Sequence, residues 1–274
     1  MCVPRFSTKN IYASIIIHFI IVPDMFRLTK HALTALLCIG TLVSTSCNKG
    51  NDKDSTNIPS NSQALRIAVL PIWECDILRH AKESGMADDM GLNIDLITYD
   101  ALMDMDTAIL SHAADVYFED SLRICRIQDD SIRPSMLLPI AVKFSLIANK
   151  DKNITSVKAL RTNMVGLTRW SQLEKFASET TESAGLGEMD VYHAQINSIP
   201  LRTSMTSQGL IDAAVIPYPW ADTLKSTGHY VLKETILSGM GLFVSPSAQN
   251  DTIKQIQLQQ LKKLYLEALK QATE

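Results

Sequence analysis

From Leu65 onward, short apolar runs alternate with amphipathic stretches, and this pattern does not repeat as identical units. The alternation leaves few folds open. Strands separated by helices pair in parallel and place the helices on both faces of the sheet. Residues 65–70 form a compact apolar run stopped by Pro71, as a buried strand would. Residues 73–86 set Ile77, Leu78 and Ala81 on one side of a helix that ends near Gly85. A second strand is expected at 92–98, then a helix reaching His112 with Asp104 or Asp106 as its cap. A third strand, 116–118, runs into Glu119-Asp120-Ser121, and 137–149 is apolar and extended around Lys143. Beyond 157–160 the pattern gives a strand at 164–167, a helix at 171–184 stopped by Gly185, a strand at 191–196 and a helix at 201–208. Strands at 211–216, 230–235 and 240–244 and a closing helix at 250–273 complete an α/β chain.

The front of the chain has a different character. Residues 25–46 carry Arg27 and Lys30, then a short apolar stretch, then Ser44-Thr-Ser before Cys47. That is the shape of a secretory signal, not of a structural helix. The cysteine makes it resemble a bacterial lipoprotein signal in which Cys47 becomes the lipidated first residue, although Ser44 replaces the usual leucine. Residues 1–24 add a second apolar run, 11–22, too short to cross a bilayer, which takes about 20 residues. We read translation as starting at Met25 and 1–24 as a misassigned start. Residues 47–63 are polar and form a flexible tether.

Composition narrows the function. The whole chain has 26 basic and 29 acidic residues, and removing the first 46 takes away mostly basic ones. A nucleic-acid partner, which needs clustered positive charge, is therefore not expected. Beyond the signal the cysteines are Cys47, Cys75 and Cys125, so one Cys75–Cys125 bridge is conceivable but not required. No metal-ligand spacing occurs, no nucleophile elbow, and no glycine-rich phosphate loop. We expect no metal, no cofactor and no catalytic residues.

The segment from Gln208 to Trp220 combines a helix end at Gly209, a buried strand and a Pro-rich turn presenting Tyr218 and Trp220. Its Gly209, Ile211, Asp212, Ala213, Ala214, Val215, Pro219 and Trp220 resemble an element of periplasmic substrate-binding proteins of the type II fold, in the nitrate/sulfonate/thiamine-precursor branch of ABC transporter receptors. Ser156, Leu160, Val165 and Gly166 resemble that family's lead-in to its second lobe, without the acid and the first glycine of that motif. Gly241-Leu-Phe-Val-Ser245 and the final helix resemble its return strand and closing helix. The resemblance implies two α/β lobes, each a mainly parallel sheet flanked by helices. Lobe 1 would hold 64–141 plus 239–274 and lobe 2 142–238, with crossings near Phe144-Ser145 and Gly239-Met240-Gly241. It also implies a monomer that traps a small organic ligand in the cleft and docks on an ABC permease. Lipid on Cys47 would tether it to a bacterial membrane on the periplasmic side of the cell envelope. Two rivals stand beside this: an enzyme on the same fold, similar to chorismate dehydratase, which the export signal speaks against, and an envelope lipoprotein that has lost transport.

Ligands of α/β sheets bind outside the carboxyl ends of the strands, and Trp73, Trp170 and Trp220 each fall just past an expected strand. They and Tyr218 are candidates for stacking on a ligand, with helix packing as the plain alternative. Thr168, Arg169 and Ser171 precede a helix, where capping competes with anion binding. Glu119, Asp120 and Ser121 end the third strand and are suited to an amine, or to capping. Phe144 marks the first crossing. Glu74 is read as a first-turn acid favoured by the helix dipole, and His193 as a packed strand residue.

Overall fold

The computed structural model describes residues 63–273. β1 (Leu65–Val69), α1 (Trp73–Glu83), α2 (Met86–Asp89), β2 (Ile94–Thr98), α3 (Leu102–Leu110), β3 (Val116–Asp120) and α4 (Ser121–Ile124) build a first half. The 14-residue β4 (Ser135–Ala148) leads into a second half. That half contains β5 (Met164–Leu167), α5 (Gln172–Ser183), β6 (Tyr192–Gln195), α6 (Ile199–Ser207), β7 (Ala213–Pro217) and α7 (Trp220–Ser226). The 15-residue β8 (Tyr230–Val244) returns to the first half, followed by α8 (Pro246–Asn250) and α9 (Thr252–Thr273).

Among the described residues the strands form one eight-stranded sheet in the order β2-β1-β3-β8-β4-β7-β5-β6. β1 pairs in parallel with β2 and β3, and β5 with β6 and β7. The long strands run antiparallel to each other and to their flanks. The end of β8, from Met240, lies against β3, whereas the end of β4, from Phe144, lies against β7. Each long strand therefore starts beside one half and finishes beside the other. β3 and β7 are buried along their whole length, as strands covered by helices on both faces must be. In α9, Leu258, Leu261, Leu264, Tyr265 and Ala268 form a buried stripe at helical spacing.

Several expectations need correction. The two strands expected at 230–235 and 240–244 are one strand: Gly239 and Gly241 sit at positive φ within it, and a bulge in β8 between Leu237 and Met240 keeps the pairing with β4. Neither Asp104 nor Asp106 caps α3: the capping position is Ala101, and Asp106 instead pairs with Arg123. The helix expected at 73–86 stops at Glu83, and Gly85 at φ +81° turns the chain into α2. Cys75 is a free, fully buried thiol, so the Cys75–Cys125 bridge does not form.

Candidate functional site

The exits of β1, β3, β5 and β7 meet along a seam between the halves. Trp73 opens α1, and its main-chain N–H donates to the Tyr218 carbonyl at 3.3 Å. The two rings meet edge to face, centroids 6.2 Å apart. Trp220 opens α7; its indole N–H donates to the Pro71 carbonyl at 2.6 Å, and its ring packs against both the main core cluster, which spans the two halves, and the smaller cluster around Ile211 and Ile216. Trp73, Tyr218 and Trp220 thus converge, tying the exit of β1 to the exit of β7.

A second set of bonds joins β3 to α5. Asp120 accepts from the Leu122 amide through Oδ1, capping α4, and from the Gln172 amide in the first turn of α5 through Oδ2 at 2.6 Å. Gln172 Nε2 reaches Ser121 Oγ at 3.5 Å. Arg123 donates to the Arg169 carbonyl at 3.1 Å. Ser171 caps α5 by accepting from the Leu173 amide. Phe144 and Thr168 are buried and, with Leu70, Leu173 and Met240 among others, enclose an interlobe cavity of about 10 Å³. That is room for roughly one water.

Trp170 and the Arg169 side chain face a separate groove. Trp170 is 47 % exposed and sits at φ +55°, uncommon for so bulky a residue. Glu174 holds that turn, accepting from the Trp170 amide at 2.6 Å and from Arg169 Nε at 3.1 Å. The Arg126 guanidinium stacks 4.6 Å from the indole centroid. Trp170 therefore lines an open groove of about 810 Å³, bordered by Leu122 and Arg126 of the first half and by Tyr192 and His193 of the second. The structure brings Trp73, Tyr218 and Trp220 together and sets Trp170 apart from them.

Sequence reasoning undervalued several seam residues. Glu74 is 3 % exposed; Oε1 accepts from the Lys143 amide of β4 at 3.3 Å and Oε2 has no partner. Burial pushes its carboxyl up to about 7. Burial likewise raises Asp120 to about 6, and holds Glu119 well above the usual carboxylate range although Arg123 lies 3.7 Å away. Arg202, on α6, is fully buried and donates to the carbonyls of Val215, Ile196 and Asn197. Among the described residues no cluster of His, Cys, Asp or Glu could hold a metal ion.

Glu74 gives a pH prediction with a definite sign. Its folded pKa of about 7 exceeds the ordinary 4.5, so the folded state keeps a proton that the unfolded chain loses between those values. The burden of the buried charge is absent below about pH 4.5 and complete above about pH 7. Glu74→Gln carries no charge. It is expected to stabilise by on the order of 2–3 kcal/mol at pH 8 and by about nothing at pH 4. Urea melts of both proteins at the two pH values measure this; an equal shift at both would refute it.

No known family profile matches the chain, and no curated protein does. Solved structures do. The alkanesulfonate-binding protein SsuA of Xanthomonas axonopodis pv. citri, bound to MOPS, is 14 % identical, with a TM-score of 0.59 over 75 % of this chain and 72 % of that one. PhnD1 of Prochlorococcus marinus, in complex with methylphosphonate, is 13 % identical, with a TM-score of 0.55 over 73 % and 83 %. The Candida albicans CA3427 gene product, described as having the generic periplasmic binding protein fold, is 12 % identical, with a TM-score of 0.61 over 77 % and 72 %. Identities this low speak to the backbone and not to the ligand. With its two long crossing strands and its helix-flanked half-sheets, the chain has the periplasmic binding protein fold of type II.

Proposed function

We propose that this chain is the solute-binding component of an ABC-type importer, a monomer that traps a small organic ligand between 64–141 plus 239–274 on one side and 142–238 on the other. Lipid on Cys47 would hold it at the periplasmic side of a bacterial membrane. Cys47, the signal-like segment and the tether lie outside the described residues. Among the described residues no helix is long and apolar enough to cross a membrane. The observation that carries the reading is the seam: Trp73, Tyr218 and Trp220 meet across it, and Asp120 reaches from β3 into the first turn of α5. The named solute-binding neighbours support it. Trp73, Glu119, Asp120, Ser121, Phe144, Thr168, Ser171, Tyr218 and Trp220 are the proposed cleft groups, with Arg169 and Trp170 at the open groove bordered by both halves.

A ligand acts here by shifting a balance between open and closed forms, since only the closed form lets it touch both halves. The seam hydrogen bonds favour closure without ligand. Trp220→Phe removes the indole donor to Pro71, weakening closure by about 1 kcal/mol, a roughly fivefold rise in the open population. Small-angle scattering should then show a larger radius of gyration that contracts when a ligand from a metabolite extract binds.

One observation favours a second reading. Around Phe144 and Thr168 the seam is filled by the chain's own side chains, down to a cavity of about 10 Å³. An envelope protein that keeps the fold but no longer carries a solute would have that property. It predicts one compact form, unchanged by Trp220→Phe and by any metabolite extract.

A further inference from the structure

We propose that the seam recognises a small organic cation carrying N–H donors, and rejects anions. This rests on reading the chain as a solute receptor. Most donors of the seam are already engaged; the exception, Arg123 Nε, has no hydrogen-bond partner but lies 3.7 Å from the Glu119 carboxylate. The Gln172 amide is held by Asp120 and the Leu173 amide by Ser171 Oγ, so the start of α5 presents its first amides to the chain's own oxygens. The indole N–H of Trp220 is held by Pro71, and Arg202 is turned onto three carbonyls. An anion at α5 would have to displace Asp120, a fully buried carboxylate 2.6 Å from the Gln172 amide.

The acceptors tell the opposite story. Glu74 Oε2, Glu119 Oε2 and Asn197 Oδ1 are buried and without a partner. Glu74 and Glu119 belong to the first half; Asn197 follows β6 in the second and lines the interlobe cavity. A buried acceptor left without a donor is destabilising, and a buried carboxylate more so. The guest that relieves all three must bring N–H groups and positive charge, and must touch both halves. Trp73, beside Glu74, and Tyr218 add ring faces that attract a cation.

The charges around these carboxylates leave room for such a guest. Asp76, on the same helix, adds like charge to Glu74, which otherwise meets only main-chain N–H groups. Glu119 faces Arg123, Asp106 and Asp120, and Arg123 also pairs with Asp106. Burial holds the Glu74 carboxyl up to about 7, so an arriving ammonium should drive its proton off.

The test uses the intact protein at pH 7 with butylamine, putrescine and agmatine against butyramide, butyrate and propanesulfonate. The amines are expected to raise the melting temperature while the amide and the anions do not. Calorimetry in two buffers of different ionisation heat should register proton release. Glu74→Gln, which keeps the shape of the side chain, should weaken amine binding at least tenfold and reduce that release. Stabilisation by butyrate or propanesulfonate equal to that by the amines overturns this proposal and leaves the receptor reading standing. If neither these compounds nor a broad metabolite screen stabilises the protein, the receptor reading falls and this proposal with it.

Discussion

Gly241→Ala should cost at least about 4 kcal/mol, in the range reserved for outright structural conflict. A Cβ at this position would stand 2.2 Å from the Leu138 carbonyl oxygen and 3.0 Å from Pro139 Cα. Those are backbone atoms, so no rotamer change relieves the clash. β8 cannot step aside either, because Gly241 is paired with Glu119 of β3 on one flank and Pro139 of β4 on the other. The backbone conformation, φ +157°, also disfavours a side chain. Gly85→Ala is the control. Gly85 has φ +81° but open space around its Cβ position, so only the left-handed penalty of about 1 kcal/mol applies. Urea unfolding followed by circular dichroism compares the two. A loss for Gly241→Ala no larger than the control's would show that the crossing can relax.

Arg123→Met is expected to cost about 3–5 kcal/mol at pH 8, the usual result of removing one member of a buried ionic group. Arg123 is buried between Asp106, Glu119 and the Arg169 carbonyl. Its loss leaves Glu119 without a counter-charge in a site with no solvent access. The cost should be clearly smaller at pH 5, because burial already raises the Glu119 carboxyl and the uncharged acid tolerates the apolar site. Pairing the change with Glu119→Gln should recover much of the loss, which a double-mutant cycle measures. If Arg123→Met loses as much with Glu119→Gln present as without it, the two residues do not interact.

Much of the fold could be read from the residues. β1, β3 and β7 stand out because helices cover both faces: β7 is an unbroken apolar run, β1 is interrupted only by Arg66, and β3 opens with Val116-Tyr-Phe118. α9 stands out through its stripe from Leu258 to Ala268. β8 did not, since none of its first ten residues is buried and its glycines look like a break. Only the pairing with β3 and β4 makes it one strand. The site divides in the same way. Trp73, Thr168 and Tyr218 follow strands directly, so their place at the strand exits is local information. The bond from Asp120 to the Gln172 amide joins residues far apart in the chain, and local pattern carries no trace of it. Glu74 looked like an ordinary first-turn acid, and neither Arg123 nor Arg202 differs in sequence from a solvated arginine. What distinguishes them is burial, and burial belongs to the assembled fold.

The position of β8 has a consequence for biogenesis. Among the described residues it is the last strand in chain order, yet it is the strip that welds β3 to β4. Until it arrives, β3 and β4 each present a bare edge able to capture another strand. A nascent chain therefore leaves both of these edges open until β8 has emerged. A message truncated ahead of Tyr230 would yield no working half, only a polypeptide prone to self-association.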